Sequence, residues 1–281
     1  MRLFLWTGLA MLAFAGNSVL TRFGVGQLGM DAVVFAVIRL AAGAVMLAVL
    51  VMWRRGAWWP GWRGRAGGVF GLLVYLFGFS YAYVDLATGV GALILFGMVQ
   101  VTMFGGAVLA REVVPMPRWA GALMAFGGLV WLVSPFGQAV ALWPAVLMAA
   151  AGIGWGIYSL AGRGARDPVL ATAANFCLAL PIAGLALLLQ VDAAGMNTLG
   201  VTVALVSGAV TSGLGYALWY AVVPQLGAAR AGVAQLSVPI LAAVAGAVWL
   251  GEALDLQFAI AAGVVLGGVA LASFGGIRRG G

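Results

Sequence analysis

The stretch DAVVFAVIRLAAGAVMLAVLVMWRRGAWWPGWRGRAGG, residues 31–68, decides the fold. An aspartate opens it, and from Ala32 to Trp53 the only charge is Arg39. Arg54, Arg55, Arg63 and Arg65 then crowd together with Trp58, Trp59 and Trp62. An apolar run of that length crosses about 30 Å of hydrocarbon. Arginine at one end and an acid at the other give it a direction.

The rest of the chain repeats this pattern. Of 281 residues, 64% are hydrophobic and 7% charged, against about 25% charged in a soluble domain. So few charges cannot cover a water-facing surface, and no polar stretch is long enough for a soluble domain. The net charge of +7 comes from arginines placed in short connections. It therefore speaks of topology and not of nucleic acid. There is no histidine and one cysteine, Cys177, which is expected to be a small buried hydrophobe. Intrachain disulfides and Cys/His metal sites are excluded.

The expected fold is an all-α integral membrane protein with ten transmembrane helices: 3–23, 31–53, 66–84, 88–110, 117–134, 142–161, 168–190, 198–221, 228–250 and 255–276. The first run is too long for a cleaved signal and counts as a span. With the N-terminus in the cytoplasm, twelve of the fourteen arginines fall on the inside. Asp31, Asp85, Asp192, Glu252 and Asp255 fall outside, with Arg22 beside them. That assignment places both termini in the cytoplasm of a bacterial inner membrane, in contact with the lipid bilayer. Eight tryptophans (Trp6, Trp53, Trp58, Trp59, Trp62, Trp119, Trp143 and Trp249) would form the interfacial belt. Glycine, at 44 residues, suits close helix packing, with Gly67/Gly71 and Gly263/Gly267 as GxxxG pairs.

Shifting the chain by about 140 residues exposes an internal repeat. Arg111-Glu112 meets Gly251-Glu252, Gly127-Gly128 meets Gly267-Gly268, and Tyr81-Ala82 meets Tyr220-Ala221. Asp31 meets Asp167, Arg39 meets Asn175, and Asn17-Ser18 meets Tyr158-Ser159. The halves are 1–138 and 139–281, each with five spans. An odd number threads the second half in the opposite sense, giving two inverted-topology five-helix repeats around a central cavity.

In each half a polar position in the first span is followed by Arg39 or its counterpart Asn175, a Tyr-Ala, a span ending in Glu, and a Gly-Gly. In this order the chain resembles the EamA-type modules of the drug/metabolite transporter superfamily. Within it the likeness is greatest to bacterial aromatic amino-acid exporters. The resemblance implies a ten-helix basket, export of amino acids from the cytoplasm and no cofactor. A single chain is the expected working unit, with an amino acid as its small-molecule partner.

Polar side chains at membrane depth usually face the interior or a water path. The substrate or cavity candidates are therefore Asn17, Arg39, Gln100, Asn175 and Gln235. Arg39 could hold a carboxylate, or bond helix-end carbonyls as a structural group. Tyr75, Phe79 and Tyr81, Trp155 and Tyr158, and Tyr216 and Trp219 supply aromatic walls suited to flat side chains. Packing or lipid contact is the plainer alternative for each. Pro239 frees the carbonyl of Gln235 and marks a kink that could gate access. Every acid lies near a span end, so facilitated movement without a proton relay is expected. An enzyme would need a grouped nucleophile, base or metal set, and a channel repeated polar rings; neither pattern is present in the sequence.

Overall fold

The computed structural model describes residues 2–54, 58–111, 115–133, 141–163, 165–189 and 196–274, apart from the side chains at 227–230, 232–233 and 273–274. The boundary at 138/139, Glu112 and Asp192 lie outside the described residues. Every described regular element is helical: α1 (Arg2–Thr21), α2 (Ala32–Trp53), α3 (Arg65–Ala82), α4 (Thr88–Leu109), α5 (Met116–Val133), α6 (Leu142–Ala161), α7 (Pro168–Leu188), α8 (Thr198–Val206), α9 (Gly215–Gln235), α10 (Ser237–Leu250) and α11 (Leu256–Phe274). A π-helical segment, Arg22–Gln27, prolongs α1, and another, Ser207–Leu214, joins α8 to α9. Among the described residues, eight helices are long and apolar enough to cross a membrane. Ser237–Leu250 and Leu256–Ala272 are apolar but shorter.

Three of the acids near span ends cap the helix that follows them. Asp31 Oδ1 accepts from Val33 N (2.8 Å) and Val34 N (2.9 Å) at the start of α2. Its repeat counterpart Asp167 does the same for Val169 N and Leu170 N, both at 3.1 Å, at the start of α7. Asp255 accepts from Phe258 N at 2.6 Å before α11. A carboxylate there satisfies helix-end N–H groups that lipid cannot.

One expected boundary moves. The sequence suggested a break at Pro224–Gly227, but α9 continues through Pro224 to Gln235. Membrane helices tolerate such prolines because neighbouring groups re-satisfy the freed backbone. The interruption comes at Leu236 instead. Leu236 keeps helical dihedrals (φ −64°, ψ −22°), so the interruption is local. Pro239, which has no N–H to offer the Gln235 carbonyl, lies just past it in the first turn of α10.

α3 packs along α6, α4 also meets α6, and α1 lies against α9 and α10. α2 packs on α7, α4 on α10 and α5 on α11. Small residues set the closest approaches. A Cβ on Gly71 would lie 2.5 Å from Gly154 O, and one on Gly154 2.7 Å from Gly71 O. Gly121 and Gly268 oppose each other in the same way between α5 and α11. Of the expected glycine pairs, Gly71 is used, whereas Gly263 faces open space. Cys177 is exposed on α7 instead of buried, as an apolar thiol can be on a lipid-facing helix. All eight belt tryptophans are also exposed.

Gly154→Val or Gly268→Val should cost about 1–3 kcal/mol by forcing packed backbones apart. Thermal unfolding of the purified protein in detergent should show both melting earlier, with Gly263→Ala unchanged or slightly more stable.

Candidate functional site

The polar centre is built on Asn17 of α1. Its Oδ1 accepts from Ser207 Oγ at 2.9 Å and lies 3.1 Å from Thr211 Oγ1. Its Nδ2 donates to Tyr75 Oη at 3.0 Å. Both hydroxyl residues belong to the π-helical segment Ser207–Leu214, a geometry that recurs at functional sites. Gly208 lets that segment lie directly on the α2 backbone, where a Cβ would strike Arg39 O. The contact brings Ser212 Oγ within 3.1 Å of Arg39 Nε.

Arg39 is 1% exposed. Its Nη2 donates to Tyr75 Oη at 2.7 Å. The guanidinium carbon lies 5.2 Å from the Tyr75 ring centroid and 4.9 Å from that of Phe79. Tyr75 Oη thus accepts from both Arg39 and Asn17, with Tyr216 Oη at 3.4 Å.

Rings enclose this centre. Trp155 stands 4.9 Å from Tyr75 and from Tyr216, and stacks on Tyr158 at 5.1 Å. Tyr75, Phe79 and Tyr83 form a ladder on one face of α3, with centroids 5.2 and 4.7 Å apart. Phe14 meets Tyr216 and Trp219 edge-on. Between them lies a cavity of about 20 Å³, walled in part by Asn17, Ser18, Tyr75, Trp155 and Tyr216. That is room for about one water.

Polar clusters lie toward both ends of this centre. At one, Arg22 Nε pairs with Glu252 Oε1 at 3.2 Å. Arg22 Nη1 also donates to the carbonyls of Tyr83 (3.0 Å) and Val84 (2.6 Å). Glu252 Oε2 accepts from Thr88 N at 2.8 Å, capping α4, whose own N-cap residue Ala87 has no side-chain acceptor. Gly251, with φ +68°, ends α10 and turns the chain there. Gly246 leaves the space into which the Glu252 carboxylate folds back. At the other end, Arg65 Nη1 donates to Asn175 Oδ1 at 2.8 Å and to Ala171 O. Tyr158 Oη donates to Thr172 Oγ1 at 2.9 Å.

The structure thus gathers Asn17, Arg39, Tyr75, Phe79, Trp155 and Tyr216 in one cluster. Trp219 flanks it through Phe14, and Tyr158 and Asn175 lie toward the Arg65 end. Tyr81 is 42% exposed and stands apart; two residues from Phe79, it falls on the far side of α3. Gln100, Gln235 and Pro239 line a separate space of about 10 Å³, with Phe96 lining both spaces. Sequence reasoning missed Ser207, Thr211 and Ser212, although the polar run in VSGAVTSGLG marks them. It placed Arg22, at the end of the first span, on the same side as Glu252 but did not pair the two.

The model of the EamA-like transporter family matches residues 142–274. An uncharacterized protein of Pseudomonas aeruginosa is 47% identical over 273 residues, covering 96% of this chain and 94% of that protein. An uncharacterized transporter of Archaeoglobus fulgidus is 24% identical over 264 residues, covering 92% of each. The chain belongs to the EamA-like transporter family. It is accordingly a multi-pass membrane transporter of the drug/metabolite transporter superfamily. A solved crystal structure matches with a TM-score of 0.70 at 20% identity over 99% of both chains, a likeness of fold.

Tyr75→Phe removes the acceptor shared by Arg39 and Asn17, leaving buried donors unsatisfied. It should cost about 1–3 kcal/mol, read as a lowered melting temperature, while Tyr81→Phe should leave melting unchanged.

Proposed function

We propose that this transporter exports amino acids, aromatic ones foremost, by alternating access through the cavity bounded by Asn17, Tyr75, Trp155 and Tyr216. The observation that carries the reading is the ring of aromatic faces around a few polar groups. Flat side chains gain area and favourable edge and face contacts there. The greater likeness to bacterial aromatic amino-acid exporters points the same way.

The cavity in this conformation is far smaller than an amino acid, so transport requires the helices to part. The packing supports two inverted halves, 1–138 and 139–281. In a ten-span count, α2 and α7, α4 and α10, and α5 and α11 are equivalent by the repeat, and each pair is in contact. α4 against α6 then corresponds to α10 against α1. Such near-twofold packing permits two related arrangements, one opening to each side. The arginine distribution orients the ensemble in a bacterial inner membrane with both termini cytoplasmic. Arg22–Glu252 then closes the outer mouth, and Arg65–Asn175 the inner one. A single chain contains the whole path, with the interruption at Leu236 and Pro239 beside its inner half.

The test is purified protein in liposomes with labelled phenylalanine, tyrosine and tryptophan. Saturable flux should appear, and Trp155→Ala should lower apparent affinity about tenfold, the loss of roughly 1.4 kcal/mol of ring contact. Equal kinetics in wild type and variant would remove Trp155 from the path. The outer mouth has its own check, in a Cys177→Ala background carrying Leu95→Cys on the cavity wall. Adding Glu252→Gln should speed labelling by an impermeant maleimide applied outside severalfold.

A further inference from the structure

Among the described residues, Arg39 is a cation without a counter-ion. The ion pairs among the described residues are Arg22–Glu252 and Arg54–Asp167, and neither involves it. Guanidinium cannot shed its proton, and burial of an unpaired charge is costly. Ser212 Oγ and Tyr75 Oη take Nε and Nη2, while among the described residues Nη1 makes no hydrogen bond of normal geometry, though the Tyr216 side chain is a neighbour of the guanidinium. The charge is instead screened by the faces of Tyr75 and Phe79, a cation–π arrangement, and both of those rings line the cavity. Ser18, on the same wall, is also buried and has an Oγ without a hydrogen bond, though the Tyr83 side chain is its neighbour. Unsatisfied buried donors of this kind are rare, and a missing ligand is one of the few physical reasons for them.

We infer that Arg39 is the seat for the carboxylate of the carried solute, and that this transporter selects carboxylic acids over amines that share the same hydrocarbon part. The inference rests on the central cavity being the solute site. In the arrangement described, Tyr75 and Phe79 shield the guanidinium. When the helices part, those rings turn and the carboxylate takes Nη1, which bonds a charged oxygen more strongly than it can any neutral group present. Ser18 offers its hydroxyl to the rest of the polar head. The site's fixed positive charge disfavours solutes that carry an ammonium group without a carboxylate to offset it.

The experiment is ligand-induced thermal stabilisation of the full chain in detergent, with phenylpropionate, phenethylamine and hexanoate as probes. The first two share a ring and an ethylene arm and differ in the head group. Phenylpropionate should bind at least about tenfold more tightly than phenethylamine, equivalent to 1.4 kcal/mol. Arg39→Gln should abolish that preference, and Arg39→Lys should keep part of it. If Arg39→Gln fails to fold, the wild-type comparison and Arg39→Lys still decide. Phenethylamine binding as tightly as phenylpropionate overturns the carboxylate seat, as does a folded Arg39→Gln that retains the preference. Hexanoate tests the aromatic reading separately. If it matches phenylpropionate and both exceed phenethylamine, the seat stands and the aromatic preference falls.

Discussion

The centre of this protein depends on keeping a guanidinium at membrane depth. Arg39 cannot be neutralised by losing its proton, and lipid offers it no solvation. Its neighbours are consequently constrained. Tyr75 must present its hydroxyl, Ser212 must approach from the π-helical segment, and Gly208 must lack a side chain for that approach to occur. The extra residue per turn in the π-helical stretch re-aims Ser207, Thr211 and Ser212 toward α1 and α2. Asn17 completes the arrangement by sharing Tyr75 with Arg39. Four helical segments are thereby fixed by one charge.

Helix packing obeys a second constraint, the lack of a hydrophobic driving force between helices already in lipid. Close approach has to come from small residues. The reciprocal contacts of Gly71 with Gly154 and of Gly121 with Gly268 provide it at α3–α6 and α5–α11. The polar clusters at the two ends are hydrogen-bonded contacts of modest strength, each between segments from different halves. The glycine seams join halves too, but through backbone-to-backbone packing over longer lengths. Separation at an end disturbs a few hydrogen bonds; separation along a seam forfeits a whole packed surface.

Much of this was legible in the chain itself. Eight of the expected spans match helices to within a few residues, because an apolar run bounded by Asp31 or Asp167 and by arginines has few other solutions. Asn17, Arg39, Tyr75, Phe79, Trp155 and Tyr216 were readable because polar and aromatic groups at membrane depth stand out against alanine and valine. Other features were not legible, for physical reasons. Ser207, Thr211 and Ser212 form a visible polar run, but nothing in it signals a π-helical turn or which neighbouring helices the hydroxyls meet. Arg22 and Glu252 are 230 residues apart, so nothing local connects them. Tyr81 was misplaced because depth along a helix was read without its rotational phase. Pro224 was taken for a terminator, although a packed membrane helix can absorb a proline that an isolated one could not.

The Arg22–Glu252 cluster shows how closure and local folding are tied together. Ala87 cannot cap α4, so the first turn of that helix relies on a carboxylate from the α10–α11 connection. Arg22 meanwhile occupies the carbonyls at the end of α3. The α3–α4 turn therefore has both of its helix ends satisfied by this one cluster. Opening it exposes a helix start and a helix end at once, and at that depth water entering the mouth is the available replacement partner. The same ingress hydrates the polar centre behind it. On the alternating access proposed above, entry of water into the cavity would accompany separation of this cluster, so a dry, half-open state would be costly and two well-defined conformations would be favoured over a continuum between them.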